Sequence, residues 1–161
     1  MADRITRRTM LGLLGAAATG AVTAGAPRPA IAQPPQFGQQ ESVQDALKRL
    51  FGTRPIKDGG ALVKLDIPLI AENGAVVPVS VEVQSPMTPQ SYVKDIYVIA
   101  DKNRIPVVTH MALSPASGQA YVGGNIRLGE TGDVRAIVEQ SDGTLLQVKR
   151  EVKVTVSGCG G

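Results

Sequence analysis

The spacing of apolar positions changes character twice along this chain, and each change marks a boundary. An apolar run rich in glycine and alanine extends from Leu11 to Ala26. After a Pro/Gln-rich stretch at 33–40, Val43, Ala46, Leu47, Leu50 and Phe51 recur at helical spacing, which predicts a short amphipathic helix over 41–51. Ser42 supplies its N-cap, Asp45 follows three residues on, and Gly52 is the stop. From Gly59-Gly60 onward the period falls to two. Runs at 61–70, 75–83, 92–100, 106–113, 119–128, 133–140 and 144–156 read as strands, with turn-rich linkers at 101–104 and 114–118.

Turn chemistry sets the expected connections. Asn73-Gly74 predicts a two-residue hairpin turn between the first two runs, and Ser141-Asp142-Gly143 a hairpin between the last two. Pro68 and Pro78 each delete a ladder donor and so belong at an edge or a bulge. Gly123-Gly124 reads as a bulge, since it lacks the Lys and the strand-to-helix context of a phosphate loop. In the last run Leu146, Val148, Val152, Val154 and Val156 share one face, with Arg150 the exception, and Lys149, Glu151, Lys153 and Thr155 share the other. Seven such runs without βαβ spacing predict an all-β, immunoglobulin-like sandwich, with one short N-terminal helix and a flexible C-terminal arm. A length of 161 residues at 43% hydrophobic composition supports a single domain with its own core.

The opening residues lie outside that domain. Thr6-Arg7-Arg8-Thr9-Met10-Leu11, the apolar run and an Ala30-Ile31-Ala32 cleavage site before Gln33 read as a twin-arginine export signal over 1–32. The domain then spans 33–156 and the arm 157–161. The apolar run is shorter and less hydrophobic than the ~20 residues a membrane span needs, so the processed chain is expected in the periplasm and off the membrane. The signal also explains the formal charge of +3: it holds Arg4, Arg7, Arg8 and Arg28 against Asp3, which leaves 13 Lys+Arg against 13 Asp+Glu. A balanced chain gives no support to nucleic-acid binding. One His and one Cys cannot build a closed zinc site, and there is no C-x-x-C-H for haem, so neither metal nor cofactor is expected. Twin-arginine export carries folded proteins, and without a cofactor to acquire, the natural reason for that route is a partner chain carried out alongside.

The candidate chemistry sits in Ser157-Gly158-Cys159-Gly160-Gly161. Cys159 is the only thiol, with no internal disulfide partner, and sulfur bound to sulfur is transferable by attack of another nucleophile. Gly158, Gly160 and Gly161 remove every neighbouring Cβ, which frees the backbone and lets it enter narrow spaces. Three residues beyond Val156 reach roughly 10 Å when extended. No cation neighbours Cys159 in the sequence, so activation of the thiol falls to whatever receives it. His110, the only histidine, lies in an apolar run and is expected to be structural or solvent-facing. Ser114, Ser117 and Ser157 have no Ser/His/Asp arrangement around them.

Residues Asp66-Ile67-Pro68-Leu69-Ile70-Ala71-Glu72-Asn73-Gly74-Ala75-Val76-Val77-Pro78-Val79 resemble the signature hairpin of the SoxY family, the sulfur-carrier subunits of periplasmic thiosulfate-oxidising systems. The Cys-Gly-Gly ending resembles that family's swinging arm, and the leader and residues 127–156 are similar as well. One position departs: Ser157 stands where the family has glycine, which places a Cβ at the base of the arm. The resemblance implies a covalent carrier that is not itself an enzyme, with Cys159 holding thiosulfate-derived sulfur. It implies a heterodimer with a SoxZ-like subunit and visits to a c-type cytochrome conjugating enzyme, a manganese hydrolase and, where present, a sulfur dehydrogenase. On the residues alone, an exported immunoglobulin-like binding module with a disulfide-forming cysteine stays open. A thiol enzyme such as a peroxidase or sulfurtransferase wants a His or Arg fixed beside the sulfur, which a glycine-flanked thiol does not promise.

Overall fold

The computed structural model describes residues 37–156. Helix α1 (Val43–Phe51) begins where expected: extended Ser42 accepts a hydrogen bond from the Asp45 amide at 3.1 Å and donates its hydroxyl to the Asp45 carboxylate at 2.7 Å. It stops at Gly52, whose φ of 63° is the left-handed value glycine tolerates, with the Gly52 N–H on the Lys48 carbonyl at 2.8 Å. Nine residues are too few for a helix to hold itself in water, so packing of its apolar stripe has to do it. Ala46 and Phe51 are buried against Tyr97, Ile99, Val107, Ile137 and Leu145, and the Phe51 ring meets Tyr97 edge-on at 5.2 Å. The helix therefore covers a sheet of its own domain.

Nine strands follow: β1 (Ile56–Asp58), β2 (Val63–Asp66), β3 (Ile70–Ala71), β4 (Val77–Val83), β5 (Val93–Ala100), β6 (Val107–Ala112), β7 (Ala120–Ile126), β8 (Gly132–Gln140) and β9 (Leu145–Val154). The larger sheet runs β1-β9-β8-β5-β6 with β3 also on β9, and the smaller runs β2-β4-β7. They face each other as an immunoglobulin-like sandwich over a core that includes Val81, Ile96, Val98, Ala136, Val138 and Val152. β5 is buried on both faces, because Ile96 and Val98 look into the sandwich while Tyr97 and Ile99 lie under α1. That is why it reads as one continuous apolar run rather than an alternating one.

Three expectations change. The Asn73-Gly74 hairpin does not form: neither residue takes a positive φ, and β2 pairs with β4 only from Val63↔Val83 to Asp66↔Ser80. Beyond Asp66 the chain leaves β4, passes Pro68, and places Ile70-Ala71 parallel to β9, so the run at 61–70 is two strands in two sheets. Pro78 is tolerated because it lies past the end of the β2 ladder, where β4 is locally an edge. Gly123-Gly124 is not a bulge. Both pair in unbroken register, Gly123↔Ser80 and Gly124↔Val79; a Cβ on Gly123 would stand 2.4 Å from the Tyr121 hydroxyl, so the glycine makes room for that ring. The bulges fall in β5, against β6 at Val98/Ile99 and against β8 between Val93 and Asp95. The Ser141-Asp142-Gly143 turn forms as expected, with Gly143 at φ 83° and its N–H on the Gln140 carbonyl at 2.9 Å. Strand β1, parallel to β9, has no counterpart among the expected runs.

Replacing Phe51 with alanine is expected to destabilise the domain by about 3 kcal/mol through the cavity left beside Tyr97. Urea unfolding should show the midpoint falling with little change in slope, since the sandwich itself persists.

Candidate functional site

The described chain ends at Val156, and the residues the sequence singles out for chemistry, Cys159 with Gly158, Gly160 and Gly161, lie outside the described residues. What the structure does show is the mount from which they depart. β9 pairs with β8 as far as Val152↔Gly132; past that point β8 has turned away and the Thr131 hydroxyl takes over, accepting from the Val154 amide at 2.9 Å. The opposite edge is held by the segment that left β4. Lys153 N–H donates to the Leu69 carbonyl at 2.9 Å and Thr155 N–H to the Ala71 carbonyl at 3.0 Å. The Thr155 hydroxyl adds a bond to the Glu72 carbonyl at 3.0 Å, and the Gly74 N–H donates to the Val156 carbonyl at 2.8 Å. Every residue from Lys153 to Val156 is thus tied through its backbone.

The holding segment is itself fixed from behind. Buried Gly74 accepts from the Leu128 amide at 2.7 Å. Residues on both sides of Leu128 are set by Asn103, whose amide donates to the Arg127 carbonyl at 2.7 Å and whose oxygen accepts from the Gly129 amide at 2.9 Å. Asn103 is a buried polar side chain, and these two bonds satisfy both ends of it. Hydrogen bonds therefore run from Leu128 through Gly74 to Val156, and Asn103 braces Leu128 by holding the residue on each side of it. Around the departure point stand Leu69, Ile70, Val76 and Val156, each more than half exposed. Asn103 and the 69–74 clamp escaped the sequence reading, because each acts through contacts with residues far away along the chain.

His110 is where a structural reading puts it, stacked between Phe37 at 4.5 Å and Tyr97 at 4.6 Å with Nε2 2.8 Å from the Asp95 carboxylate. Asp95 and Glu139 are cross-strand neighbours, a like-charged pair that needs cations. Lys94 reaches both, at 3.8 and 3.4 Å, and Arg54 holds Glu139 at 3.0 and 3.3 Å. Burial opposes ionisation of Glu139, but the Arg54 hydrogen bond and the nearby Lys94 outweigh it and hold its carboxyl below the usual range. Burial pushes the Tyr97 hydroxyl up to about 12, helped by the charges of Asp95 and Glu139. Among the described residues no group of His, Cys, Asp and Glu could hold a metal ion.

The model of the family "Sulfur oxidation protein SoxY" matches residues 47–159, the greater part of the chain and a span that includes Cys159. This chain belongs to the SoxY family. The structure is similar to that of the sulfur carrier protein SoxY from Chlorobium limicola f thiosulfatophilum, at 30% identity and a TM-score of 0.60 over 71% of this chain and 97% of that one. Superoxide reductases share the fold alone. That from Ignicoccus hospitalis is 19% identical at a TM-score of 0.51, covering 58% of this chain and 80% of its own. That from Nanoarchaeum equitans is 12% identical at 0.51, covering 61% and 100%. No curated protein matches the chain.

Asn103→Ala should strand the Arg127 carbonyl and the Gly129 amide and cost about 1–3 kcal/mol. Hydrogen exchange should quicken at Gly74 and Leu128 while the amides of α1 keep their relative protection. Glu139 predicts an acid-limb effect. A carboxyl whose folded pKa is depressed adds stability that is complete above its unfolded value and lost as pH falls through the folded one. Glu139→Gln should therefore flatten the decline of stability below the ordinary glutamate range, read as urea midpoints across a pH series.

Proposed function

We propose that this chain carries sulfur covalently on Cys159 during thiosulfate oxidation and presents it to enzymes that act on it in turn. The observation that carries this reading is that the family match runs through Cys159, three residues past Val156, where a segment tied through its backbone at every residue from Lys153 ends. A fixed root followed by Ser157, three glycines and one thiol suits a group that must be aimed from a constant position yet enter a narrow active site.

Conjugation joins the Cys159 sulfur to the outer sulfur of thiosulfate, with one proton released and two electrons passed to a c-type cytochrome enzyme. Water then attacks the terminal sulfone on a manganese hydrolase, sulfate leaves, and a persulfide remains on Cys159. A sulfur dehydrogenase, where the host has one, oxidises that persulfide for a second hydrolysis. The chain works in the periplasm, reached by the twin-arginine route, as a heterodimer with a SoxZ-like subunit exported alongside. Its own part in the chemistry is to hold the sulfur.

The test is a pair of variants in a reconstituted thiosulfate-oxidising system. Cys159→Ser should abolish turnover and leave no sulfur adduct by intact mass, with folding unchanged; retained turnover would rule the carrier out, and an unsubstituted chain whose intact mass shows only disulfide dimers would favour a binding module. The double variant Gly158→Val, Gly160→Val should keep thermal stability within ~0.5 kcal/mol, as exposed substitutions do, and keep alkylation of Cys159 by small reagents near the native rate. Its enzymatic loading and unloading should nonetheless fall by orders of magnitude, because the added side chains block entry rather than reactivity.

A further inference from the structure

We propose that Asn73 is a site of spontaneous covalent modification gated by the clamp on β9: its side-chain amide is converted to a carboxylate only while the Gly74 N–H is off the Val156 carbonyl. This goes beyond the carrier reading and does not rest on it. The sequence has three asparagines, Asn73, Asn103 and Asn125, and only Asn73 precedes a glycine. An asparagine amide is thermolabile because the backbone nitrogen of the next residue can attack it, and glycine, with no Cβ, gives that nitrogen the freest approach. The structure both presents the reaction and restrains it. Asn73 is exposed, and its Oδ1 accepts from the Ala75 amide at 2.8 Å, which folds the side-chain carbonyl back over the following backbone. Gly74 is buried, and the hydrogen that has to leave its nitrogen points instead at the Val156 carbonyl, 2.8 Å away. The Gly74 carbonyl is held in turn by the Leu128 amide at 2.7 Å. Fixed at its nitrogen and at its carbonyl, Gly74 cannot turn toward the side chain without giving up a bond, so attack waits on a local opening of the clamp.

In the opened state the Gly74 nitrogen adds to Cγ of Asn73, its proton leaves with the side-chain nitrogen as ammonia, and a cyclic succinimide joins the two residues. Water then opens the ring. Cleavage at Cγ gives aspartate, and cleavage at the backbone carbonyl gives isoaspartate, whose main chain runs through Cβ and Cγ. An amide and a water are consumed, a carboxylic acid and ammonia are formed, and no oxidation state changes. Both products place a new negative charge beside Glu72. Isoaspartate also lengthens the main chain by one atom ahead of the Gly74 nitrogen, which carries that amide away from the Val156 carbonyl. The modification therefore records an opening of the clamp and, along the isoaspartate branch, makes it permanent.

The test follows the processed chain, aged at mildly alkaline pH, by the peptide mass gained as an amide becomes an acid and by enzymatic methylation of isoaspartate. Modification should concentrate at Asn73 and run about tenfold or more slower than in concentrated urea, where the clamp is gone. Asn103→Ala, which loosens the support behind Leu128, should speed it about fivefold or more and quicken hydrogen exchange of the Gly74 amide by the same factor. Low urea applied to the unsubstituted chain should move the two rates together as well, which frees the test from how that variant folds. After ageing, the separated isoaspartate fraction should exchange its Thr155 amide faster than the unmodified fraction. A folded rate equal to the rate in concentrated urea would overturn the proposal. So would modification led by Asn103 or Asn125, a rate that does not follow Gly74 exchange, or an isoaspartate fraction whose Thr155 protection is unchanged.

Discussion

The position of β9 is the constraint on which the rest turns. The strand has to satisfy its last backbone groups after its hairpin partner has gone, since β8 gives out at Gly132↔Val152, before β9 does. The shortfall is met by a detour. The chain leaves β4 at Asp66 and crosses to the other sheet, lays Ile70-Ala71 along β9, and returns through Gly74, whose amide and carbonyl bind Val156 and Leu128. The curtailed β2 ladder, the place for Pro78 and the burial of Asn103 all follow from that crossing. In the family's terms, the stretch 66–79 that resembles the SoxY signature is the clamp on the strand that leads to Cys159.

Local signals were legible wherever local chemistry decides the outcome. Ser42 and Gly52 bound the helix, Ser141-Asp142-Gly143 turns the last hairpin, and the period of two in residues 144–156 matches the inward Leu146 and Val152. Asn73-Gly74 misled because its turn preference is a small local term, overridden once Gly74 is recruited to hold Val156 and Leu128. β1 and β3 were invisible for a related reason: parallel pairing joins residues more than eighty positions apart, and strands of three and two residues carry no period to detect. The glycines at 123 and 124 looked like a defect in a strand, since a sequence does not show that a ring two residues earlier needs the space.

The two faces of the larger sheet are used differently. The inner face is plainly apolar, whereas the outer one passes from the aromatic contact of Phe51 with Tyr97 to the charges of Asp95, Glu139, Lys94 and Arg54 within a few residues. His110 closes that polar end by stacking on Tyr97 and binding Asp95, which accounts for the lone histidine without assigning it chemistry. The only nucleophilic sulfur in the sequence is thereby left to the tail.

Mechanics gives the clamp a further meaning. In the proposed carrier role, an enzyme gripping the tail would pull along the axis of β9, and the bonds to β8, β1 and β3 lie across that axis on both of its edges. Such a pull loads them together in shear, whereas a strand peeled from its end would surrender them one at a time. Under that proposal the root would bear the tension without the last strand coming away from the sheet.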